Sequence, residues 1–319
     1  MIYWYWRYNM AYGIKVFNNT GGGVIDGYNF QLVFIGKVYL ELKNLTNIWT
    51  TNGVNTGQWS GTVAFPSPRD SVLRTSGTYS GIYINDGIMT TPFAFIGGPQ
   101  TYSDSYGSAT LNSIALTNQT INTPDLNALG IASGVLYPQI CTFSVSAVGT
   151  YSLSGTNSDI TLIRPKLTAY IFDVIDTTIT SNTGYGLNVK SQRPSTDAYS
   201  NKNTFTTTQV PLVISAYAKT NGQKGLQTLL RGSIPTNWAV CMGHLGWFGN
   251  TVYDTYSSSN PPADGQLLGI SYTSPQTAYI DPAYYTKWTG GGNIYNYSCP
   301  INRAVENQYI MWIDRDLYD

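Results

Sequence analysis

Apolar and polar residues alternate along many short runs of this chain, and this two-residue period restricts the fold more than any other feature. Between residues 135 and 153, for example, Cys141, Phe143, Val145 and Ala147 alternate with Thr and Ser. Alternate positions of a β-strand lie on the same face of a sheet, so such a run predicts a strand with one buried face.

Short runs of this kind follow one another through the first half of the chain, at 61–65, 71–74, 81–84 and 92–96. This spacing is typical of a β-sandwich or a jelly-roll. The 26 Tyr favour strands and the 32 Gly favour turns over helices. We therefore predict an all-β protein of antiparallel β-sandwich or jelly-roll-like domains, with a few short helical turns at 123–130, 223–230 and 281–285.

Three longer runs predict the principal strands. The apolar alternation over 28–42 changes phase near Gly36, which indicates a long strand with a β-bulge at that glycine. The apolar run at 167–175 predicts a buried strand, and the run at 309–313 predicts a final strand.

With 319 residues, the chain is long enough for two domains, each with its own core. A polar turn cluster at 155–158 marks the boundary that we expect. The predicted units are an aromatic arm at 1–10, an N-terminal β domain at 11–157 and a C-terminal β domain at 158–319. One large β domain is the alternative.

The first nine residues, Met-Ile-Tyr-Trp-Tyr-Trp-Arg-Tyr-Asn, are dominated by amphipathic rings. Such rings are rarely left in water without a partner. We predict that Trp4, Trp6 and Tyr8 contact a neighbouring subunit, and the alternative is that the arm packs on its own domain.

Two segments, at 12–26 and 185–197, share one pattern: Tyr-Gly-[Ile/Leu]-x-Val, a polar turn, and then Asp. Their apolar residues alternate with polar ones, and Gly or Pro supplies the turn, so each predicts a half-buried strand at a hairpin edge. Internal duplication and chance similarity both remain open as explanations of the shared pattern.

The residues Met-Ala-Tyr-Gly-Ile-Lys-Val-Phe-Asn at 10–18 resemble the opening of a group of bacteriophage tail or tail-fibre proteins, in which a Tyr-Gly-Leu-x-Val segment recurs mid-chain, as at 185–189. The resemblance covers two short segments, and nine residues precede Met10. It implies a virion protein of the tail, assembled in the host cytoplasm, whose first domain attaches to other phage virion proteins. It implies no catalytic residue.

The charge balance excludes one class of partner. Lys and Arg together number 17, as do Asp and Glu, and only 11% of the residues are charged. We therefore expect no binding to nucleic acid, which requires a basic surface. Weak self-repulsion favours assembly, so we expect a homo-oligomer, and a trimer would suit a tail appendage; a soluble monomer is the alternative. The absence of an 18-residue apolar run predicts no membrane span.

Residues suited to catalysis are few. Glu41 and Glu306 are the only glutamates, His244 is the only histidine, and no Gly-x-Ser-x-Gly motif is present. The Asp pairs 173/176 and 314/316 lack the ligand spacing of a calcium loop, so we interpret them as solvated turn charges. We expect no enzyme activity, no cofactor and no metal site.

Aromatic residues crowd two stretches of the second half, each interrupted by Gly and Asn. Exposed rings beside polar residues are typical of sugar-binding surfaces and of interface hot spots. The predicted aromatic surface comprises Trp238, Trp247, Tyr253, Tyr256, Tyr284, Trp288 and Tyr295. Since Trp and Tyr are partly buried on average, core positions are the alternative for individual members.

These patterns lead to one functional hypothesis and two alternatives. The hypothesis is a virion structural protein of a phage tail (tail tip, baseplate or fibre) that recognises a host cell-surface polysaccharide or protein receptor. The first alternative is a head or tail decoration protein that cements its neighbours. The second is a depolymerase of surface glycans, which would need two carboxyl groups across a cleft.

Overall fold

The computed structural model of the protein describes residues 16–17, 23–25, 31–51, 53–66, 80–81, 93–122, 140–155, 159–175, 187–191, 193–196, 200–221, 225–242, 246–250, 263–272, 277–288, 303–304 and 306–319. These residues form strands and two 3₁₀ turns, at Ile160–Leu162 and Arg315–Leu317. The strands before residue 157 are β1 (Val16–Phe17), β2 (Gly23–Ile25), β3 (Leu32–Glu41), β4 (Asn44–Thr51), β5 (Val54–Pro66), β6 (Ser80–Gly81), β7 (Phe93–Gly97), β8 (Thr101–Ser103), β9 (Gly107–Asn122) and β10 (Ile140–Leu153). Those after it are β11 (Lys166–Val174), β12 (Asn188–Lys190), β13 (Asn203–Thr206), β14 (Ala216–Asn221), β15 (Gly225–Leu226), β16 (Thr228–Gly232), β17 (Trp238–Met242), β18 (Gly246–Asn250), β19 (Ala263–Ser271), β20 (Tyr279–Trp288), β21 (Arg303–Ala304) and β22 (Glu306–Asp314).

Two antiparallel sheets contain most of these strands. The ten-stranded sheet has the order β15-β20-β19-β9-β10-β5-β4, with β18 and β21 continuing from β19 and with β8 beside β9. The eight-stranded sheet has the order β16-β14-β22-β17-β7-β11-β3-β6. The antiparallel all-β sandwich predicted from the sequence is thereby confirmed, and the two 3₁₀ turns are its short helical elements.

A single apolar core lies between the sheets. One row of paired residues crosses the ten-stranded sheet: Leu45, Trp59, Ala147, Ile114, Ile270 and Ile280. A second row crosses the eight-stranded sheet: Ala216, Trp312, Val240, Ile96, Ala169 and Val38. All of these residues belong to, or pack against, one hydrophobic cluster. The core therefore joins six strands of one sheet to six strands of the other.

The described strands do not separate into two units at residue 157. In the ten-stranded sheet, β4, β5, β8, β9 and β10 precede this residue and the other strands follow it. In the eight-stranded sheet, β7 from the first half pairs with β11 and with β17 from the second. The predicted division into domains 11–157 and 158–319 is therefore corrected: the two halves of the chain interleave in both sheets.

The predicted bulge in the first long strand is confirmed. The pairing of β3 with β11 skips Ile35, the residue next to Gly36. Val33 and Ile35 before the shift, and Leu40 after it, are buried in the core between the sheets. Phe34 packs instead on the opposite face of the sheet, so both faces of this strand carry apolar side chains.

The predicted helical turn at 223–230 is wrong. Its described residues, 225–230, form β15, an edge of the ten-stranded sheet, and the first part of β16, an edge of the eight-stranded sheet. Gln227 holds the crossing between them, because its Oε1 accepts a hydrogen bond from the Asn221 N–H (2.9 Å) and its Nε2 donates to the Gly225 carbonyl (3.0 Å). Leu226 and Leu230 are 63% and 50% exposed, so they do not form the buried stripe of an amphipathic helix.

The predicted capped turn at 281–285 is also wrong, because these residues lie within β20. The predicted helical turn at 123–130 lies outside the described residues. The first Tyr-Gly segment contains a local hairpin, in which β1 pairs with β2. In the second segment, β12 pairs with β13, which begins at Asn203, beyond the predicted segment.

A second, smaller apolar cluster lies on the outer face of the eight-stranded sheet. It comprises Phe95, Tyr170, Phe172, Ala239, Ile313 and Tyr318. The aromatic ring of Tyr318 covers this face, and the neighbouring Asp319 carboxylate accepts hydrogen bonds from the Tyr170 hydroxyl (2.9 Å) and the Lys37 ammonium (3.1 Å). These hydrogen bonds thus connect the segment that follows β22 to β11 and β3 of the same sheet.

We expect the Asp319 carboxylate to make a pH-dependent contribution to stability. Burial raises the pKa of Asp319, but hydrogen bonds from Tyr170 and Lys37 and the charges of Lys37 and Arg315 hold it below its ordinary value of 3.8. A group with a lowered folded-state pKa stabilises the fold above its unfolded-state pKa, and this contribution is lost as the pH falls through the folded-state value. We expect wild type to be more stable than Asp319→Asn at pH 7, with the difference shrinking below about pH 4. Urea midpoints measured across this range would refute the assignment if the difference stayed constant.

Candidate binding surface

Acidic residues of the described chain do not form a metal site. No three His, Cys, Asp or Glu in the ranges given above lie close enough together to hold a metal ion. Asp173, predicted to be a solvated turn charge, is only 1% exposed because β11 is buried on both faces, and its Oδ1 accepts a hydrogen bond from the Val174 N–H (2.6 Å). Asp314 Oδ1 accepts from the Asp316 N–H (3.1 Å), so Asp314 caps the 3₁₀ turn Arg315–Leu317.

The remaining candidates for acid–base or nucleophilic chemistry are scattered. Burial raises the pKa of the Cys241 thiol to about 11, so the thiol stays protonated at neutral pH and is a poor nucleophile. Glu41 forms an ion pair with Lys43 at 3.5 Å. Glu306 begins β22, and His244 lies outside the described residues. None of these observations brings a pair of carboxyl groups together across a cleft.

Trp238 is buried, which corrects its prediction as an exposed binding residue. Only 4% of Trp238 is exposed, and its ring centroid lies 4.7 Å from that of Tyr272, which is buried to the same degree. The physical reason is the position of β17 in the middle of the eight-stranded sheet, where Trp238 shares the inner face with Val240 and Met242. Trp238 therefore packs the core.

Two predicted residues from different aromatic stretches lie in one row of the ten-stranded sheet. Trp247 of β18 pairs with Leu267 of β19, and Leu267 in turn pairs with Tyr284 of β20. Trp247 and Tyr284 therefore occupy one row across three strands, separated by two strand spacings, or about 9.6 Å. Trp288, four residues after Tyr284 on β20, pairs with Ala263.

The phase of β19 places this row on the outer face of the sheet. Ile270 is 1% exposed in the core between the sheets and pairs with Ile114, which is also buried. Successive residues of a strand alternate between faces, so Leu267, Gly265 and Ala263 occupy the face opposite to that of Ile270. Positions paired with these three residues lie on the same outer face.

A one-residue bulge in β20 places the residues that follow it on this outer face. Ile280 pairs with Ile270 on the core side, and Pro282 pairs with Leu268. The next pair joins Tyr284 to Leu267, so Ala283 is the extra residue. Because a shift of one residue moves the whole strand segment to the other face, this bulge assigns Tyr284, Thr286 and Trp288 to the outer face.

Two glycines lie between the aromatic positions. Gly249 pairs with Gly265, and Gly265 pairs with Thr286, in the row between Trp247–Tyr284 and Trp288. Glycines have no side chain that would occupy the space between the flanking ring positions. We call the set of outer-face positions in these rows the aromatic platform: Trp247, Leu267, Tyr284, Gly249, Gly265, Thr286, Ala263 and Trp288.

The other predicted residues lie outside the described part of the chain. These are Tyr253, Tyr256 and Tyr295 of the aromatic surface, and Trp4, Trp6 and Tyr8 of the arm. Sequence reasoning did not include Leu267, Gly249 and Gly265, although the paired glycines form the middle of the aromatic platform. No sequence signal marks them, since their role follows from strand pairing.

Comparison of the chain with protein-family models, with curated proteins and with solved structures gave no match. Among the described helical segments, none has the length and apolar character needed to cross a membrane. The described strands thus define an antiparallel all-β sandwich, in which the backbone positions of the aromatic platform share one face of the larger sheet.

Proposed function

We propose that this protein is a structural component of a bacteriophage virion, in the tail tip, baseplate or fibre, and that it binds a host cell-surface polysaccharide through the aromatic platform. The observation that carries the binding role is the shared outer-face position of Trp247, Tyr284 and Trp288. Aromatic rings that share one face of a sheet are suited to stacking against the apolar faces of sugars. The resemblance of residues 10–18 to phage tail proteins supports the virion role.

Mass spectrometry of gradient-purified phage particles tests the virion role. The proposal requires the protein to copurify with tails in a constant ratio to the other tail proteins. Absence from the particles would overturn it. Presence in the particles without any binding of the purified protein to host cells would favour the decoration role instead.

Binding of the purified protein to cells of the bacterial host tests the aromatic platform. We expect Trp247→Ala combined with Trp288→Ala to weaken binding by about 30-fold or more, since a hot-spot ring contributes at least about 2 kcal/mol. The matched control is Tyr39→Ala combined with Tyr106→Ala, because both of these rings are exposed and lie outside the platform. Equal losses in both double variants would argue against the platform.

A further inference from the structure

The outer face of the eight-stranded sheet carries a second aromatic group, whereas the aromatic platform belongs to the ten-stranded sheet. The rings of Tyr217 on β14 and Tyr309 on β22 lie 6.4 Å apart between centroids, with an angle of 59° between their planes. Tyr309 is 54% exposed. Ala218 and Ile310, each next to one of the tyrosines, are fully buried in the core, so both tyrosines lie on the outer face.

Two cationic residues alternate with these tyrosines. Arg231 of β16 pairs with Tyr217 of β14, and Lys219 of β14 pairs with Tyr309 of β22, so the four positions form a staggered group across three strands on one face. Arg231 is exposed and Lys219 is partly buried. We call Tyr217, Lys219, Arg231 and Tyr309 the Tyr–cation patch.

The ion pairs found among the described residues involve neither Lys219 nor Arg231. The ion pairs among the described residues are Lys37–Asp319 and Lys43–Glu41, which lie on other strands. The position of Glu306 pairs with Asn221, one row beyond Lys219. The patch therefore offers two cations together with two aromatic rings.

We propose that the Tyr–cation patch is a binding site for an anionic polysaccharide bearing carboxylate groups, independent of the aromatic platform. Tyrosine rings stack on the apolar faces of sugar rings, while the guanidinium of Arg231 and the ammonium of Lys219 bind carboxylates through charge-assisted hydrogen bonds. Nucleic acid is a poorer partner, because the chain has no net charge. A two-fold contact centred on the patch would bring its two cations close to those of the second copy.

Isothermal titration of the full chain with oligogalacturonate, and with a dextran oligosaccharide of equal length, tests this site. We expect wild type to bind the oligouronate more tightly than the neutral sugar, and to lose affinity as salt screens the exposed charges. Lys219→Gln combined with Arg231→Gln should weaken oligouronate binding about tenfold, and Tyr309→Ala about fivefold. The matched control is Tyr39→Ala combined with Lys190→Gln, an exposed tyrosine and an exposed lysine elsewhere, which should bind as wild type does.

Three outcomes overturn the proposal. The first is a wild-type protein that does not bind the oligouronate at low salt, and the second is equal affinity for both sugars that the Gln variants leave unchanged. The third is a concentration-dependent dimer in gel filtration that Tyr309→Ala abolishes, because the patch would then be a subunit contact. Host-cell binding of the variant with Trp247→Ala and Trp288→Ala tests the aromatic platform separately. The proposal for the platform and the proposal for the Tyr–cation patch can therefore fail independently.

Discussion

Replacing Trp59 with alanine is expected to lower the free energy of unfolding by about 3–5 kcal/mol, the range typical of large core aromatic residues. Trp59 is fully buried and occupies the row that crosses the ten-stranded sheet, between Leu45 and Ala147. Its ring lies 6.4 Å from that of Tyr151 in an edge-on arrangement, and its Nε1 donates a hydrogen bond to the Ile163 carbonyl (3.1 Å). The alanine variant loses the packed indole and the donor together.

Equilibrium unfolding in urea measures this loss, with an unchanged slope showing that the unfolded states remain comparable. Trp59→Phe keeps an aromatic ring and removes the donor, so we expect it to be destabilised less than the alanine variant. Tyr39→Ala removes a ring that is 73% exposed and should change stability by no more than about 0.5 kcal/mol. A Trp59→Ala loss as small as that of Tyr39→Ala would contradict the packing of the two sheets around this residue.

Period-two alternation predicted the central strands because their inner faces are continuous. Phe143, Val145 and Ala147 are buried on β10, and the apolar runs at 167–175 and 309–313 became β11 and β22. The phase change near Gly36 also located a real bulge. In each case the information is local, since a strand that packs on one core must keep its apolar side chains on one face.

Leu226, Leu229 and Leu230 show where local pattern fails. Their spacing matches a helix face, yet only Leu229 packs against the core, while Leu226 and Leu230 lie exposed on the edge strands of two different sheets. The segment forms edge strands because Gln227 and the neighbouring backbone satisfy hydrogen bonds to both sheets. The secondary structure of such a segment is determined by pairing between residues distant in sequence, which outweighs local propensity.

The sequence could predict which aromatic residues belong to the aromatic platform, but not that they share one face of a sheet. The sequence identified Trp247, Tyr284 and Trp288 as ring-rich positions, but it grouped the core residue Trp238 with them. Their common face depends on the pairing of β18, β19 and β20 and on the extra residue Ala283. Without that bulge, the ring positions of β20 would occupy the core side of the sheet.

Tyr318→Ala is the second large effect, with an expected loss of about 3 kcal/mol or more in the free energy of unfolding. Tyr318 is 7% exposed, and its ring centroid lies 5.1 Å from that of Phe172 in an edge-on arrangement and 5.2 Å from that of Phe34. Its hydroxyl donates to the Pro211 carbonyl (3.0 Å) and accepts from the Val213 N–H (2.9 Å). The Tyr318 side chain therefore connects the segment after β22 to residues 211–213, beside the outer apolar cluster.

Three measurements separate the two contributions of Tyr318. Tyr318→Phe keeps the ring and deprives the Pro211 carbonyl and the Val213 N–H of their partner, so we expect a loss of about 1–3 kcal/mol and faster amide exchange at 209–215. Tyr318→Ala should in addition expose the apolar outer cluster, detectable as binding of a hydrophobic dye. Leu317→Ala, at a neighbouring side chain that is 52% exposed, should leave both readouts near wild type. If Leu317→Ala and Tyr318→Ala destabilise equally, the loss belongs to the 3₁₀ turn, and the Tyr318 ring is not what holds the outer cluster closed.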